Sequence, residues 1–376
     1  MPSTPAWAEV SLSALQQNLK NLKQLAAPAG VFAMVKANAY GHGLVPASKA
    51  FLQAGAYGLA VAFTQEGIAL RRAGLRCPIL VVAPVLKPEI PDLLKAKLTP
   101  QISSYKGARE ISRTARKMKA GPVKVHVELD TGMGRVGFRQ EEIAREIGRI
   151  GKLPHLQIEA FYTHFATADW ADPKYAASQI ENFKNLFQTT HFFYSDGGKG
   201  TGSHLANSAA LLTHSVKFPV TWARPGIALY GVAPSPHLKN RVQLLPAMQL
   251  KARIIHLKTL EKGESVSYGR TYFTKRRTRV ATLGIGYADG LHRTLSNKGH
   301  CLIRGRKVPL IGTVCMDMTM ADVTSVPNVK LGDAATIFGR DGKAFLPVEE
   351  QAALAGTISY ELLCAVGGRV PRLYVK

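Results

Sequence analysis

Short apolar runs alternate with longer amphipathic stretches from residue 31 to about residue 231. Eight runs have the length and composition of buried strands: VFAMVKA, AYGLAVAF, CPILVVAP, LTPQIS, VKVHVELD, LQIEAFYTHF, the neighbourhood of GSHLANSA, and TWARPGIALYG. Between most of them apolar residues recur every three or four positions, as in TQEGIALRRAG and QEEIAREIGRI, which indicates amphipathic helices. Eight strands alternating with helices over this length predict an α/β fold with a parallel (β/α)8 TIM-like barrel.

The pattern changes after the Pro-rich and polar segment VAPSPHLKNRVQLLP, at about residues 232–246. Strand-like runs such as RVATLGIGYA, HCLIRGRKVPLIG and DAATIFG then follow one another across Gly, Asn, Asp and Pro turns, without long helices between them. We therefore expect a barrel domain over residues 1–240 and a C-terminal mostly-β domain over residues 241–376. The first strand of the chain can pack with the C-terminal domain.

Composition places the chain among ordinary globular enzymes. It has 376 residues, a hydrophobic fraction of 46% and no apolar run that approaches the roughly 18 residues of a membrane span. The first residues lack the charged and apolar regions of a secretory signal, so we expect a cytoplasmic protein that does not associate with membranes. The four cysteines are widely spaced, which predicts reduced thiols and no metal site.

The formal net charge of +24 is large enough to raise the question of nucleic-acid binding. The positive residues are dispersed, however, and the densest clusters are RTARKMK at 113–119 and TKRRTR at 274–279. Neither cluster has interleaved aromatic residues. We predict no nucleic-acid partner and attribute the charge to solubility or to an anionic small ligand.

Polar residues that suit chemistry follow several of the predicted strands, where the active sites of barrel enzymes lie. Any one of them alone is better explained as an ordinary solvated or structural residue. Their coincidence at one face of a barrel favours a functional site. The set comprises Lys36, Arg135, His164, Asn207, Ser208 and Arg224.

A strand-end lysine among cations has a lowered pKa, which frees the amine of Lys36 to form a Schiff base with an aldehyde. Ser208 and the backbone amides of Gly226 and Ile227 follow the seventh and eighth strands and suit a phosphate group. A reactive lysine beside a phosphate seat suggests pyridoxal phosphate as the cofactor.

The segment GMGRVG at 132–137 offers a competing interpretation, because it matches the dinucleotide-binding pattern G-x-G-x-x-G between a strand and a helix. It follows the fifth strand, however, and carries Arg135 inside the loop, which favours capture of an anion by a side chain. A tight turn between strand and helix is the simpler explanation of its glycines.

Taken in order, the motifs AMVKANAYGHG, LDTGMGRVGF, HFATAD, ANSAA, ARPGIALYG, VSYGRTY, IGYADGLHR, GTVCMDM and ISYE run over essentially the whole chain. With them the sequence closely resembles the alanine racemase family of fold-type III pyridoxal-phosphate enzymes. The resemblance implies interconversion of L- and D-alanine, which supplies peptidoglycan synthesis in bacteria. It also implies a head-to-tail homodimer in which each active site uses loops from both subunits.

The resemblance further implies a role for each matching residue. Lys36 would hold the cofactor and act as one acid/base, Tyr268 of the partner subunit would serve the opposite face, and Arg224 would face the pyridine nitrogen. His164, if bonded to both Arg224 and Tyr268, would help to place the charge of the tyrosine, while Arg135 and the amide of Met316 would bind the substrate carboxylate. The phosphate would be held by Tyr40, Ser208, Gly226, Ile227 and Tyr360, with Asn207 alongside.

One position departs from the family pattern. Many relatives have a carbamylated lysine two residues before the Asp of the DTGMGR motif, where it orients the arginine, and here that position is Glu128. Our hypothesis is that the carboxylate of Glu128 replaces the carbamate, reaching Arg135 directly or through water.

Two alternatives stay open on the sequence. The first is a racemase of broader amino-acid scope, since a pocket distinguishes one methylene by only about 1–3 kcal/mol. The second is a non-catalytic pyridoxal-phosphate-binding protein, against which VSYGRTY and GTVCMDM argue. A decarboxylase of the ornithine type would need a cysteine-centred acid motif, which we do not find in the sequence.

Overall fold

The eight apolar runs between residues 31 and 231 form one parallel sheet in the computed structural model, which describes residues 4–193, 200–213 and 220–375. Numbered in chain order after a first strand β1 (Ala6–Ser11), they are β2 (Gly30–Met34), β3 (Gly58–Val61), β4 (Ile79–Val81), β5 (Thr99–Ile102), β6 (Val123–Glu128), β7 (Leu156–Tyr162), β8 (Gly202–His204) and β9 (Trp222–Ala223). The sheet order is β8-β7-β6-β5-β4-β3-β2-β9.

Backbone hydrogen bonds bring the two edges of this sheet together. Thr221 N donates to Ser203 O at 2.8 Å, and Arg224 N donates to Ala206 O at 2.8 Å, which joins the β8 and β9 regions. The predicted parallel eight-stranded barrel is thus confirmed, in a nearly closed form.

The helices that follow the strands are amphipathic, as the spacing predicted. In α7, for example, Ile143, Ile147 and Ile150 are buried on one face. Helix α6 begins at a serine cap, where Ser104 Oγ accepts from Gly107 N at 3.1 Å. In chain order the helices are α1 (Leu12–Ala26), α3 (Leu44–Gln53), α4 (Thr64–Arg72), α5 (Ile90–Lys95), α6 (Tyr105–Lys117), α7 (Gln140–Gly151), α8 (Lys174–Phe193) and α9 (Ser208–Thr213), and the label α2 (Lys36–Tyr40) is kept for a short left-handed segment between α1 and α3.

The interior of the barrel is filled by side chains. Phe32, His126 and Trp222 pack against one another there, with ring centroids 5.6–6.1 Å apart. Because successive side chains of a strand point to opposite faces, Lys124, His126 and Glu128 share one face of β6. This alternation places a line of polar groups inside the barrel.

The C-terminal region forms an antiparallel-rich sheet with β1 of the N-terminus, which pairs with β10 in the register Ala8↔Leu250. The sheet order is β18-β17-β14-β15-β16-β13-β10-β1-β19, and β11 pairs with β12 separately. The strands are β10 (Met248–Leu260), β11 (Ser265–Val266), β12 (Tyr272–Phe273), β13 (Thr278–Leu283), β14 (His300–Ile303), β15 (Arg306–Ile311), β16 (Thr319–Asp322), β17 (Ala334–Asp341), β18 (Ala344–Leu346) and β19 (Arg372–Val375), with helices α10 (Val348–Ala355) and α11 (Ser359–Ala365).

The chain divides into two units. One comprises residues 15–39 and 44–245 and contains the barrel, and the other comprises the residues up to 14, residues 40–43 and the chain from 246 onward. A cluster of Leu260, Val266, Val280, Ile311 and Met320 forms part of the core of the second unit. None of the helices in the described ranges is both long enough and apolar enough to cross a lipid bilayer.

Candidate active site

Lys36 stands at the start of an unusual turn. Strand β2 ends at Met34, and the four residues after Lys36, at positions 37–40, all have φ between 51° and 55°. This left-handed turn costs roughly 1–2 kcal/mol per residue for side chains other than glycine. Glu66 holds it, because its Oε1 accepts from Ala37 N at 2.7 Å, and Asn38 Oδ1 accepts from Leu44 N at 2.8 Å. Backbone strain of this kind is concentrated at functional sites.

Ser208 is hydrogen-bonded to two backbone N–H groups. Its Oγ accepts from Gly226 N at 2.8 Å and from Ala228 N at 3.2 Å, and the residue is buried. Ile227, between these donors, begins a short 3-10 turn. The group is a compact set of one hydroxyl and several N–H donors, which is the chemistry that a phosphate requires.

Asn207 precedes Ser208 and has a local role. Its Oδ1 accepts from Ala210 N at 3.0 Å, so Asn207 caps α9. This bond fixes the residue at the end of the seventh barrel strand.

Arg224 is buried at the end of β9 and donates several hydrogen bonds. Its Nη1 donates to His204 Nδ1 and, at 2.7 Å, to His204 O, while Nη2 donates to Thr163 O at 2.8 Å. Its guanidinium also lies over the Tyr162 ring, 4.9 Å from the centroid. Burial lowers the pKa of Arg224, and Tyr162 and Glu128 raise it. Arginine nevertheless remains a cation in proteins.

His164 lies among cations. Burial, followed by the charges of Arg224, Arg135 and Lys36, lowers the pKa of His164 to about 3, so the ring is neutral at physiological pH. A bond between Arg224 and His164 is a condition of the role that the family resemblance gives to His164. In the structure the hydrogen bonds of Arg224 go instead to His204 and the Thr163 carbonyl, because His204 is buried on the neighbouring strand.

Glu128 is buried beside Tyr162, its register partner on β7. Tyr162 OH donates to Glu128 Oε2 at 2.7 Å. Burial raises the pKa of Glu128, while the bond from Tyr162 and the charges of Arg224 and Arg135 oppose the rise. Glu128 therefore interacts with Arg135 through its charge, and its hydrogen bond is with Tyr162.

The glycine-rich segment 132–137 forms a tight turn that is bonded to Asp130, just before it in the chain. Asp130 Oδ1 accepts from Gly132 N and from Gly134 N, each at 3.0 Å. A Cβ on Gly137, which has φ of 114°, would lie 2.8 Å from Asp130 N. These contacts explain the glycines as a tight turn between strand and helix.

Two loops of the C-terminal unit are bonded to each other and expose Tyr268 and Met316. Ser267 Oγ donates to Thr313 O at 2.6 Å, and Thr313 Oγ1 donates to Tyr268 O at 2.8 Å. Ser267 and Gly269 have φ of 69° and 71°. Tyr268 is 72% exposed and Met316 is 52% exposed, so both side chains are available to a ligand or partner.

Tyr40 and Tyr360 are neighbours in the same unit, with ring centroids 6.1 Å apart. Burial raises the pKa of Tyr40, and Tyr360 and Cys364 raise it further. Tyr40 therefore keeps its proton and can act as a hydrogen-bond donor.

Three interior residues that contact the predicted site were missed by the sequence analysis: Tyr162, His204 and, behind it, His126. The rings of Tyr162 and His204 stack at 4.6 Å, and these residues are paired in register. The sequence pattern indicates polar residues at strand ends, whereas these residues lie one step inward from the strand ends. The two-residue period that places His126 on the same face as Glu128 was the available signal.

A nearly closed barrel with a strand-end lysine and a cluster of hydroxyl and N–H groups around Ser208, followed by a β domain, defines a class of two-domain barrel enzymes. Family models described as the N-terminal and C-terminal domains of alanine racemase match residues 10–234 and 247–374. The chain belongs to the alanine racemase family, whose members are isomerases.

Individual relatives agree over the full length. The alanine racemase of Methanococcus maripaludis is 43% identical over 378 residues, covering 100% of both chains. The alanine racemase of Bacillus anthracis with bound L-Ala-P has a TM-score of 0.91 at 35% identity, covering 100% of this chain and 96% of that one. The alanine racemase of Bartonella henselae with covalently bound pyridoxal phosphate has a TM-score of 0.88 at 28% identity, covering 100% of both.

Proposed function

We propose that the chain interconverts L- and D-alanine with pyridoxal phosphate by a two-base mechanism. The observation that carries the proposal is the combination of the Lys36 turn, the Ser208 donor group and the buried Arg224 guanidinium in one barrel. The covalently bound cofactor of the Bartonella henselae relative supports it.

The barrel residues fit this cofactor. The hydroxyl of Ser208 and the backbone N–H groups of Gly226 and Ile227 would bind the phosphate, with Asn207 alongside. The N–H of Gly226 donates to Ser208 Oγ in the structure and would exchange this acceptor for a phosphate oxygen. From the C-terminal unit we add the phenols of Tyr40 and Tyr360, and Lys36 would attach the cofactor. When bound, pyridoxal phosphate supplies a carbonyl that condenses with amines and a ring that delocalises the electron pair left by proton removal.

Arg224 would face the pyridine nitrogen. Its guanidinium donates hydrogen bonds but does not release a proton, so the ring nitrogen would stay unprotonated. A weaker electron sink favours return of the proton to the α-carbon and disfavours transamination.

Inversion of the α-carbon requires that a proton leave one face and that another arrive on the opposite face. We assign these tasks to the amine of Lys36 and to the phenol of Tyr268 from the partner subunit of a head-to-tail homodimer. The high exposure of Tyr268 and the bonded loops that hold it support this assignment. A neutral His164 beside Arg224 would help to place the tyrosine.

Arg135 and the backbone amide of Met316 would bind the substrate carboxylate, with Glu128 in place of the carbamate of relatives. The burial of Glu128 and its charge interaction with Arg135 support this substitution. Activity of the wild-type enzyme should not rise on addition of bicarbonate, whereas a Glu128→Lys variant should become bicarbonate-dependent. Stimulation of the wild type by bicarbonate would contradict the hypothesis.

The central experiment measures racemisation and α-hydrogen exchange in deuterated water for each alanine enantiomer. Borohydride reduction of the wild-type holoenzyme should attach the cofactor to Lys36. Lys36→Ala should lose both this modification and racemisation. Tyr268→Phe should lose racemisation yet keep exchange with one enantiomer, because the remaining base still serves its own face. Tyr374→Phe, which alters another exposed tyrosine of the same unit, is the control and should match the wild type.

The two alternative functions predict different results in these assays. A non-catalytic pyridoxal-phosphate-binding protein would show no turnover in the wild type or in Tyr268→Phe. A racemase of broader scope would process larger amino acids at rates comparable to alanine, and the L-Ala-P bound to the Bacillus anthracis relative favours alanine.

We also propose a boundary between the two domains at residues 240 and 241, a cytoplasmic location, and supply of D-alanine to peptidoglycan in a bacterial source. The dimer can be tested by sedimentation, and its shared site by mixing Lys36→Ala with Tyr268→Phe. Mixed dimers should recover activity, since one of their two sites would then contain both bases.

A further inference from the structure

A continuous line of hydrogen bonds runs along the barrel interior. Lys124 Nζ donates to Glu159 Oε1 at 2.5 Å, and Glu159 Oε2 lies 3.1 Å from His126 Nε2. His126 Nδ1 lies 2.7 Å from His204 Nε2, and His204 Nδ1 bonds to Arg224 Nη1. Both histidines are fully buried. The line connects a solvent-exposed lysine to the arginine of the proposed site.

Arg224 fixes the direction of this line at one end. A guanidinium has N–H donors and no acceptor, so His204 Nδ1 must accept. A neutral imidazole carries one N–H, which is therefore on His204 Nε2 and donates to His126 Nδ1. Burial, followed by the charge of Arg224, lowers the pKa of His204 well below its ordinary value, which agrees with a neutral ring.

Glu159 fixes the same direction at the other end. Since His126 Nδ1 accepts, its proton is on Nε2 and donates to the Glu159 carboxylate, which has only acceptors when ionised. Burial raises the pKa of Glu159, but the bonds from His126 and Lys124 more than offset this and lower it to about 2. Burial lowers the pKa of His126, so that ring is also neutral.

Arg224 excludes the reversed direction of these hydrogen bonds, in which His126 would donate to His204. If His126 took a second proton beside Glu159, its Nδ1–H would require His204 Nε2 to accept. A neutral His204 would then carry its proton on Nδ1, directly against an N–H of Arg224. The line therefore maintains one polarity and moves no proton.

We propose that Glu159, His126 and His204 are positioning residues that hold Arg224 at the carboxyl end of the barrel through hydrogen bonds of fixed direction. His204 and the Thr163 carbonyl engage three of the five N–H groups of Arg224, and the two others, on Nε and Nη2, would be the ones to serve the cofactor. The link to the cofactor rests on the proposed function, whereas the direction of the hydrogen bonds does not.

The first test is nuclear magnetic resonance of the wild-type protein with ¹⁵N-labelled histidine, with and without pyridoxal phosphate, at alkaline pH. His126 and His204 should both show the Nε2–H tautomer. His155 is an internal reference of opposite type, because its Nδ1 lies 3.0 Å from the Ala120 carbonyl and must donate. An Nδ1–H tautomer or a doubly protonated ring at His204 would overturn the proposal.

The second test compares variants of Glu159 in the holoenzyme. Glu159→Leu removes the acceptor and should lower kcat/KM on the order of tenfold, the size usual for outer partners of a site. It should also shift the ¹⁵N resonance of the labelled cofactor ring. Glu159→Gln keeps an acceptor and should stay within roughly threefold of the wild type, having lost only the charge assistance.

Gln101→Met is the matched control. Gln101 is paired in register with His126, is buried, and neither side-chain amide atom has a hydrogen-bond partner within the described ranges. The change perturbs packing next to His126 without touching the line, so the ring resonance should not move. Equal effects of Gln101→Met and Glu159→Leu would show a packing effect and would refute the positioning role.

Failure of the proposed racemase function and failure of the positioning role give different experimental results. If the wild type neither binds pyridoxal phosphate nor racemises alanine, the proposed function fails, while the histidine tautomers still test the hydrogen-bond line. If racemisation is normal but the tautomers differ from those expected, only the positioning role fails.

Discussion

Removal of the Ser208 hydroxyl should destabilise the barrel through two backbone groups at once. In Ser208→Ala, the N–H groups of Gly226 and Ala228 lose their acceptor inside the protein. Each unsatisfied buried donor costs roughly 1–3 kcal/mol, and the longer bond from Ala228 contributes less. The better helix propensity of alanine returns about 0.5 kcal/mol, because Ser208 begins α9. We expect a net loss of about 2–3 kcal/mol.

Calorimetry of protein prepared without pyridoxal phosphate should show this loss as a fall in Tm of roughly 4–12 °C for a unit of this size. Hydrogen exchange should locate it, with faster exchange at the amides of Gly226 and Ala228. Ser48→Ala is the control, because Ser48 is also a buried helical serine but its Oγ has no hydrogen-bond partner within the described ranges. That variant should be as stable as the wild type or slightly more stable.

The reasoning is refuted if Ser208→Ala and Ser48→Ala melt at the same temperature. It is also refuted if Ser208→Ala is destabilised while the exchange rates of Gly226 and Ala228 stay unchanged. The loss would then arise elsewhere.

Three other changes follow from burial and backbone geometry. Burial raises the pKa of Glu128, so its ionised form opposes folding. Glu128→Gln should therefore raise Tm at neutral pH, and this gain should vanish below the unfolded pKa near 4.5. A Tm below that of the wild type at neutral pH would contradict this. The pKa of His164 is lowered to about 3, so the wild type should lose about 1.6 kcal/mol of stability relative to His164→Gln between pH 6.5 and 5. Urea titrations measure this loss, and parallel pH profiles of the two proteins would refute it. Gly41 has φ of 81°, and Gly41→Ala would put a Cβ 2.0 Å from the Leu363 carbonyl oxygen. It should lower Tm far more than Gly356→Ala, because Gly356 has a similar φ of 73° but open space around it. Equal losses of Tm would show that φ alone matters.

The strands of the barrel could be predicted because their signal is local. An apolar run such as VKVHVELD is buried on both faces in a parallel sheet, and the helices between such runs show their own period. The strand-end positions of Lys36 and Arg224 followed from the same pattern. The motifs of the family then added residues, such as Tyr268, that no local pattern indicates.

Contacts inside the barrel could not be predicted in the same way. The bond between Arg224 and His204 joins neighbouring strands, and its existence depends on the register and closure of the sheet. The left-handed turn after Lys36 could not be predicted in full either, because Asn38 favours positive φ but its neighbours Ala37, Ala39 and Tyr40 do not. Part of what holds the turn is Glu66, which is distant in sequence and accepts a hydrogen bond from Ala37 N.

The turn after Lys36 limits how the lysine motif can be moved between proteins. A designer who grafts residues 36–40 onto another barrel transfers the amine but leaves behind the carboxylate of Glu66, which binds Ala37 N and also Ala62 N and Phe63 N. Without that carboxylate the N–H of Ala37 would lose its acceptor, and a turn that costs roughly 1–2 kcal/mol per residue would lose one of the contacts that hold it. The smallest transplantable unit therefore includes the start of α4 as well as the end of β2.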